Sequence, residues 1–177
     1  MDTRRLLGGL GEMMRYPTPE LPEKASEWVA AADCIPADAR DAIARFAAFV
    51  ESTPPGRLEE VYSASFDLAP ACCPYVGHQL LGEDHRRTAL LLMLKQCYRE
   101  VGLELDGELP DHLSLLLCYL AMAGGGEVES ELMGRLVLPA LEKMVSALEE
   151  SNGYRALLQG ATALCRAALA ESTNAVS

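Results

Sequence analysis

Three histidines, six cysteines and 26 carboxylates are the side chains with which this 177-residue chain could do chemistry. Their spacing argues against most of it. A structural or catalytic metal centre needs His, Cys, Asp or Glu at ligand spacing, yet the chain has no Cys-x-x-Cys pair and no His-Glu-x-x-His. The adjacent Cys72 and Cys73 cannot easily both reach one tetrahedral ion. A Cys–His dyad would pair Cys73 with His78 or His112, but the local signatures that mark such nucleophiles are missing. Gly8-Gly9-Leu10-Gly11 lacks the Lys-Ser/Thr pair of a phosphate loop, and Gly124-Gly125-Gly126 leads into acids that repel phosphate. Paired carboxylates such as Glu59-Glu60 and Glu149-Glu150 fall at helical positions expected to face solvent. No catalytic residue, metal site or bound cofactor is expected, and Cys97, Cys118 and Cys165 are expected as small buried hydrophobes.

One junction is left, Glu108-Leu109-Pro110-Asp111-His112-Leu113. Pro110 biases Leu109 to an extended conformation, and Asp111 can cap or charge the N-terminus of a following helix. The residues alone leave open whether this is a structural junction or a contact surface.

The elements that must position these groups are helical throughout. The expected stretches are about 3–15, 23–32 with Trp28, and a longer run from Pro36 to Pro54 whose Ala42, Ile43, Phe46, Phe49 and Val50 recur at helical spacing. A fourth begins at Arg57 and ends near Pro70. Residues 67–82 are irregular, with Pro70, Pro74, Gly77 and Gly82, so any helix there is short or starts after Pro74. A long helix is expected over 83–101, with Glu83 and Asp84 in its first turn, and another from Asp111 to about Ala123. Gly124 to Gly126 reads as a flexible joint. Two or three helices follow, about 127–136, 139–150 and 154–170, with a frayed tail over 170–177. Hairpin turns and clustered β-branched residues are missing. The expectation is an all-α, single-domain globular helical bundle of about eight or nine helices spanning 1–177, with sequence neighbours packed largely antiparallel.

Composition narrows the partners. Fifteen Lys and Arg against 26 Asp and Glu give a formal charge of −11, which opposes a nucleic-acid backbone and attracts a basic segment. Arg4-Arg5-Leu6-Leu7 is not followed by the apolar core of an export signal, and the apolar runs 89–94 and 113–123 are too short to span a bilayer. The cysteines do not form the framework of a secreted domain. A cytoplasmic protein without direct membrane insertion is expected.

An ordered set of residues carries a resemblance. It comprises Phe66-Asp67, Tyr75, His78, Gly82-Glu83, Arg87, the run Tyr98 to Leu105, and Glu108 to Leu113 followed by apolar residues through Ala121. The set is similar to the NarJ branch of the redox-enzyme maturation chaperones, also called nitrate reductase delta subunits, with TorD and DmsD as more distant relatives. Leu6, Leu7, Leu10, Tyr16 and Pro17 extend it loosely. Thr88 departs from the Gly common in that family, and the Cys- and Pro-rich stretch 70–75 departs from a Leu-rich one.

The resemblance implies a non-catalytic cytoplasmic chaperone. Its partner would be the N-terminal segment of the catalytic (alpha) subunit of a molybdopterin oxidoreductase, nitrate reductase first, held during cofactor insertion and before membrane assembly. A related dimethyl sulfoxide reductase-family client, a helical adaptor or a molybdopterin carrier are the alternatives, and either a monomer or a dimer is compatible. A basic amphipathic client would lie as a helix in an apolar groove with acidic rims. Tyr75, His78 and Glu83 with Leu109, Asp111 and His112 are expected to line one side of it. Asp111 would be an acidic contact and His112 a polar or pH-sensitive one, against the simpler roles of cap and packed side chain. Phe66 and Asp67 are expected as core and helix end.

Overall fold

Helix α7 (Leu113–Met122) is apolar on every side, and its residues from Leu113 to Leu120 are all buried. Such a helix has no solvent face and must sit inside the other elements. In the computed structural model, which describes residues 3–32, 35–68 and 72–175, it is buried in a body formed with the remaining helices. They are α1 (Thr3–Met13), α2 (Leu21–Ala31), α3 (Ala37–Ser52), α4 (Pro55–Phe66), α5 (Val76–Leu81), α6 (His85–Val101), α8 (Glu127–Leu132), α9 (Leu138–Ala147) and α10 (Gly153–Ala175). With α8 and α9 taken as one bent rod, nine helices are present among the described residues, which have no β-strand beyond one isolated bridge.

The packing is only partly between sequence neighbours, such as α2 with α3 and α9 with α10. The most extensive contacts join α1 to α7 and α3 to α10, elements about 100 residues apart. The expected packing of successive helices therefore holds for some pairs, while the two largest packings join distant helices. The reason lies in the apolar faces: α1 contributes Leu6, Leu7, Leu10 and Met13, all buried, and only the all-apolar α7 offers a matching surface. Trp28 of α2 covers α1 and donates its indole N–H to the Leu6 carbonyl at 3.0 Å. A second centre collects Phe46, Phe49, Tyr62, Phe66 and Tyr154 from α3, α4 and α10, with ring centroids 5.0–6.4 Å apart.

Several boundaries move. Asp84 is the N-cap of α6, its carboxylate accepting from the Arg86 N–H at 2.8 Å, so Glu83 stands before the helix rather than in its first turn. Between α8 and α9 lies a π-helical turn, Met133–Val137, closed by the Leu138 N–H on the Met133 carbonyl. Pro139 accounts for it, because its ring has no N–H and displaces the carbonyl four residues back. The chain stays helical to Ala175 where a frayed end was expected. Gly124 and Gly125 take φ of 74° and 89°, left-handed values that a side chain would strain, so the glycine tract makes a defined turn into α8.

Candidate functional site

Two segments that are irregular in sequence meet in space. Tyr75 and His112 form an antiparallel bridge, in which the Val76 N–H donates to the Asp111 carbonyl and the Leu113 N–H to the Pro74 carbonyl, both at 2.8 Å. The Tyr75 ring stands edge-on to the His112 imidazole, centroids 5.3 Å apart, and its hydroxyl donates to Glu108 at 3.0 Å. Burial, then the Glu108 carboxylate, pushes the Tyr75 phenol up to about 12. The bridge thus gathers the region around α5 and the 108–113 junction onto one surface.

The members of that junction divide into buried and exposed groups. Asp111 is fully buried and faces Arg87 of α6, whose Nε and Nη2 donate to Oδ2 and Oδ1 at 2.9 and 3.4 Å. Donating this hydrogen bond to Asp111 raises the Arg87 pKa further. Gly77 lies directly over this pair, where a Cβ would stand 2.7 Å from Asp111 Oδ2. Asp111 is therefore neither the cap of α7 nor a free acid. The cap is His112, whose Nδ1 accepts from the Ser114 N–H at 3.2 Å and lies 2.7 Å from the Ser114 hydroxyl. Burial holds its imidazole pKa below the usual 6.5, with Arg15 acting in the same direction and the nearby carboxylates opposing. Tyr98 locks the junction from α6 by donating to the Pro110 carbonyl at 2.7 Å.

Leu109, by contrast, is 45% exposed. His78 and Glu83 are also accessible, with Nδ1 and Oε1 3.3 Å apart. Around Tyr75 and Glu108 the structure assembles further groups from distant parts of the chain. Tyr16, past the end of α1, packs edge-on to Tyr62 and its hydroxyl donates to Glu59 at 3.3 Å. Asp67 and the 79% exposed Leu68 end α4, and the Asp67 charge acts on Tyr16, Tyr62, Tyr75 and His112 alike. The exposed Tyr16, Leu68 and Leu109 and the half-buried Tyr75 thus each stand beside a carboxylate, Glu59, Asp67 or Glu108, and together make an apolar patch with an acidic rim. A cleft lined by Pro17, Pro19, Pro22, Pro55 and Glu59 continues from it.

Of these residues, Tyr16 and Glu108 were visible only as parts of motifs, Asp67 was expected as a mere helix end, and Leu68 carried no signal. An exposed Leu at a helix terminus has no local mark in sequence. Phe66 is core, as expected.

No group of three or more His, Cys, Asp or Glu could hold a metal ion among the described residues. Burial pushes the Cys72, Cys118 and Cys165 thiols up to about 12, leaving them protonated and inert at neutral pH. Cys97 is half-buried, and Cys34 lies outside the described residues. No helix among the described residues is long and apolar enough to cross a membrane.

Fold and site together define a single helical body with an exposed apolar patch rimmed by carboxylates. The family model for the nitrate reductase delta subunit matches residues 32–159, and the chain belongs to that family. It is 29% identical over 160 residues to a Bacillus subtilis NarJ described as a nitrate reductase molybdenum cofactor assembly chaperone, covering 89% of this chain and 85% of that one. It is 27% identical to the Escherichia coli nitrate reductase molybdenum cofactor assembly chaperone NarJ over 84% of this chain, and spans 64% of that relative's length. A crystal structure assigned as a redox enzyme maturation protein from Archaeoglobus fulgidus shares the fold at a TM-score of 0.57 and 18% identity, over 98% of this chain and 95% of the other.

Proposed function

We propose that this chain is a non-enzymatic assembly chaperone of the cytoplasm. Its client is the catalytic subunit of a molybdenum-containing oxidoreductase, nitrate reductase first, and it binds that subunit's N-terminal segment before membrane assembly. The observation that carries the reading is the patch of apolar Tyr16, Leu68, Tyr75 and Leu109 beside the carboxylates Glu59, Asp67 and Glu108, on a chain of net charge −11. Such a surface suits a basic amphipathic helix, with apolar anchors supplying affinity and the rim supplying steering and orientation.

The buried and exposed groups then have different work. Leu109, Tyr75, Leu68 and Tyr16 offer apolar area, while Glu108, Asp67 and Glu59 meet basic client residues. His78 and Glu83 extend the polar edge. Asp111, Arg87 and His112 hold the 108–113 junction in shape, so they act on the client through Leu109 and Glu108 rather than by touching it. Burying ~500 Å² of apolar surface gives about 12 kcal/mol gross, of which ordering of the peptide consumes a large part. Micromolar to nanomolar binding remains, which allows release.

The test is titration calorimetry of the full chain against ~20-residue peptides, the length of about one 30 Å helix, from the N-termini of molybdoenzyme catalytic subunits of the same genome. Micromolar or tighter binding to one of them, lost on Leu68→Asp, is the expected result. Failure to bind any of them, with the protein folded, removes the peptide-binding reading.

A further inference from the structure

The cleft beside Glu59 has walls of proline. Pro17 and Pro19 come from the connection between α1 and α2, Pro22 from the first turn of α2 and Pro55 from the first turn of α4. Its floor is Val50 of α3 and Leu58 of α4, both buried. The volume is about 200 Å³. Ordinary small-molecule sites start near 300 Å³, whereas an apolar cavity of about 150 Å³ is enough for a benzene ring. The cleft therefore has room for one side chain of Leu, Met or Phe size and not for a cofactor.

Its polar groups choose the sign of what lies next to that side chain. Proline has no N–H to donate. The Thr53 hydroxyl donates to the Phe49 carbonyl at 2.6 Å, and the Thr18 hydroxyl is engaged by the Glu20 carboxylate. No Lys, Arg or His lines the cleft, so it offers an anion nothing. Glu51 and Glu59 line it instead, both exposed, and neither is in an ion pair among the described residues. Glu59 accepts from the Tyr16 hydroxyl at 3.3 Å, which joins the cleft to the apolar patch and leaves the carboxylate further acceptor sites.

We propose that this cleft is the specificity pocket for the client segment: it takes a single apolar side chain of Leu, Met or Phe size, and Glu51 and Glu59 hold a Lys or Arg next to it in the peptide. The inference rests on the peptide-binding reading above and adds which client residues are read. Proline walls are already rigid, so filling the cleft costs little ordering of the protein, and an anchor seated in a preformed pocket outweighs the contacts around it. A peptide with an acid beside its anchor meets two like charges and is rejected.

The experiment is methyl NMR of the full chain titrated with the capped dipeptide acetyl-Leu-Arg-amide. The Val50 and Leu58 methyl signals should shift with a dissociation constant of about millimolar. Acetyl-Leu-Glu-amide and acetyl-Ser-Arg-amide should each bind about tenfold more weakly or worse. Thr18→Trp, at an exposed wall position where the indole fills the cleft, should abolish the shifts, and Glu51→Gln with Glu59→Gln should remove the preference for Arg over Glu; methyl signals remote from the cleft report folding. Shifts at Val50 and Leu58 with no longer peptide bound would uphold the pocket and remove the N-terminal-segment reading. A longer peptide that binds while the dipeptide leaves Val50 and Leu58 unmoved would overturn the pocket and keep that reading. Equal binding of the Leu-Arg and Leu-Glu probes would also overturn it.

Discussion

The Arg87 guanidinium grips the Asp111 carboxylate through two hydrogen bonds, 2.9 and 3.4 Å, at a point where Asp111 has no solvent exposure. Arg87 itself keeps 16% of its side-chain surface. The pair ties α6 to the junction that begins α7, and the asymmetry of burial sets the consequences of breaking it.

Arg87→Met strands the Asp111 charge in the interior, and removing one partner of a buried pair costs about 3–5 kcal/mol. Asp111→Ala leaves an arginine that can turn toward solvent and should cost less. Urea unfolding of both variants measures the difference; equal losses, or a larger loss for Asp111→Ala, would contradict the asymmetry.

His112 caps α7 through the unprotonated Nδ1, and its folded pKa lies below the 6.5 of the unfolded chain. The unfolded state then takes up a proton first as pH falls. The capped fold keeps its full stability above about pH 6.5 and loses it as pH drops toward the lowered value, where protonation also removes the cap's acceptor. His112→Asn retains a capping side chain without titrating, so its unfolding free energy should fall less between pH 7 and pH 5. Identical pH profiles for the two proteins would refute the assignment.

The carboxylate rim should govern peptide binding without governing the fold. Glu108→Lys combined with Asp67→Lys is expected to weaken a bound basic peptide about tenfold or more, with a change in melting temperature of only a few degrees. Affinity of the unaltered chain should also decline as salt rises past the concentration where the screening length falls below about 10 Å. Salt-independent binding in calorimetry would rule out the rim as the source of steering.

Tyr154 is fully buried in the aromatic centre, and its hydroxyl has no hydrogen-bond partner. Burial pushes the phenol's pKa up, with Tyr62 and Tyr16 adding to the effect. Removing an unsatisfied buried hydroxyl while keeping the ring is neutral or favourable by about 1 kcal/mol. Thermal unfolding of Tyr154→Phe should show an equal or higher midpoint; a loss above about 1 kcal/mol would mean that the hydroxyl is satisfied in solution.

The helical nature of the chain, and its lack of metal-ligand and phosphate-loop spacings, was legible in the residues. Helical periodicity, proline breaks and capping acids act over a few neighbouring residues and are written locally. The family, too, was visible in the order Phe66 to Ala121, and the match over 32–159 bears it out. What the local pattern cannot carry is pairing. Nothing near Asp111 distinguishes a cap from a buried acid, because the deciding partner, Arg87, is 24 residues away. Nothing near His112 foretells Tyr75 across the bridge, nor does anything near Tyr75 foretell its hydrogen bond to Glu108, 33 residues away. Those relations depend on α1 and α6 both seeking the apolar α7, whose burial brings the segments around them together. Sequence determined which segments are helical and apolar; the packing of those segments around α7 decided which polar side chains were buried and paired and which were left facing solvent.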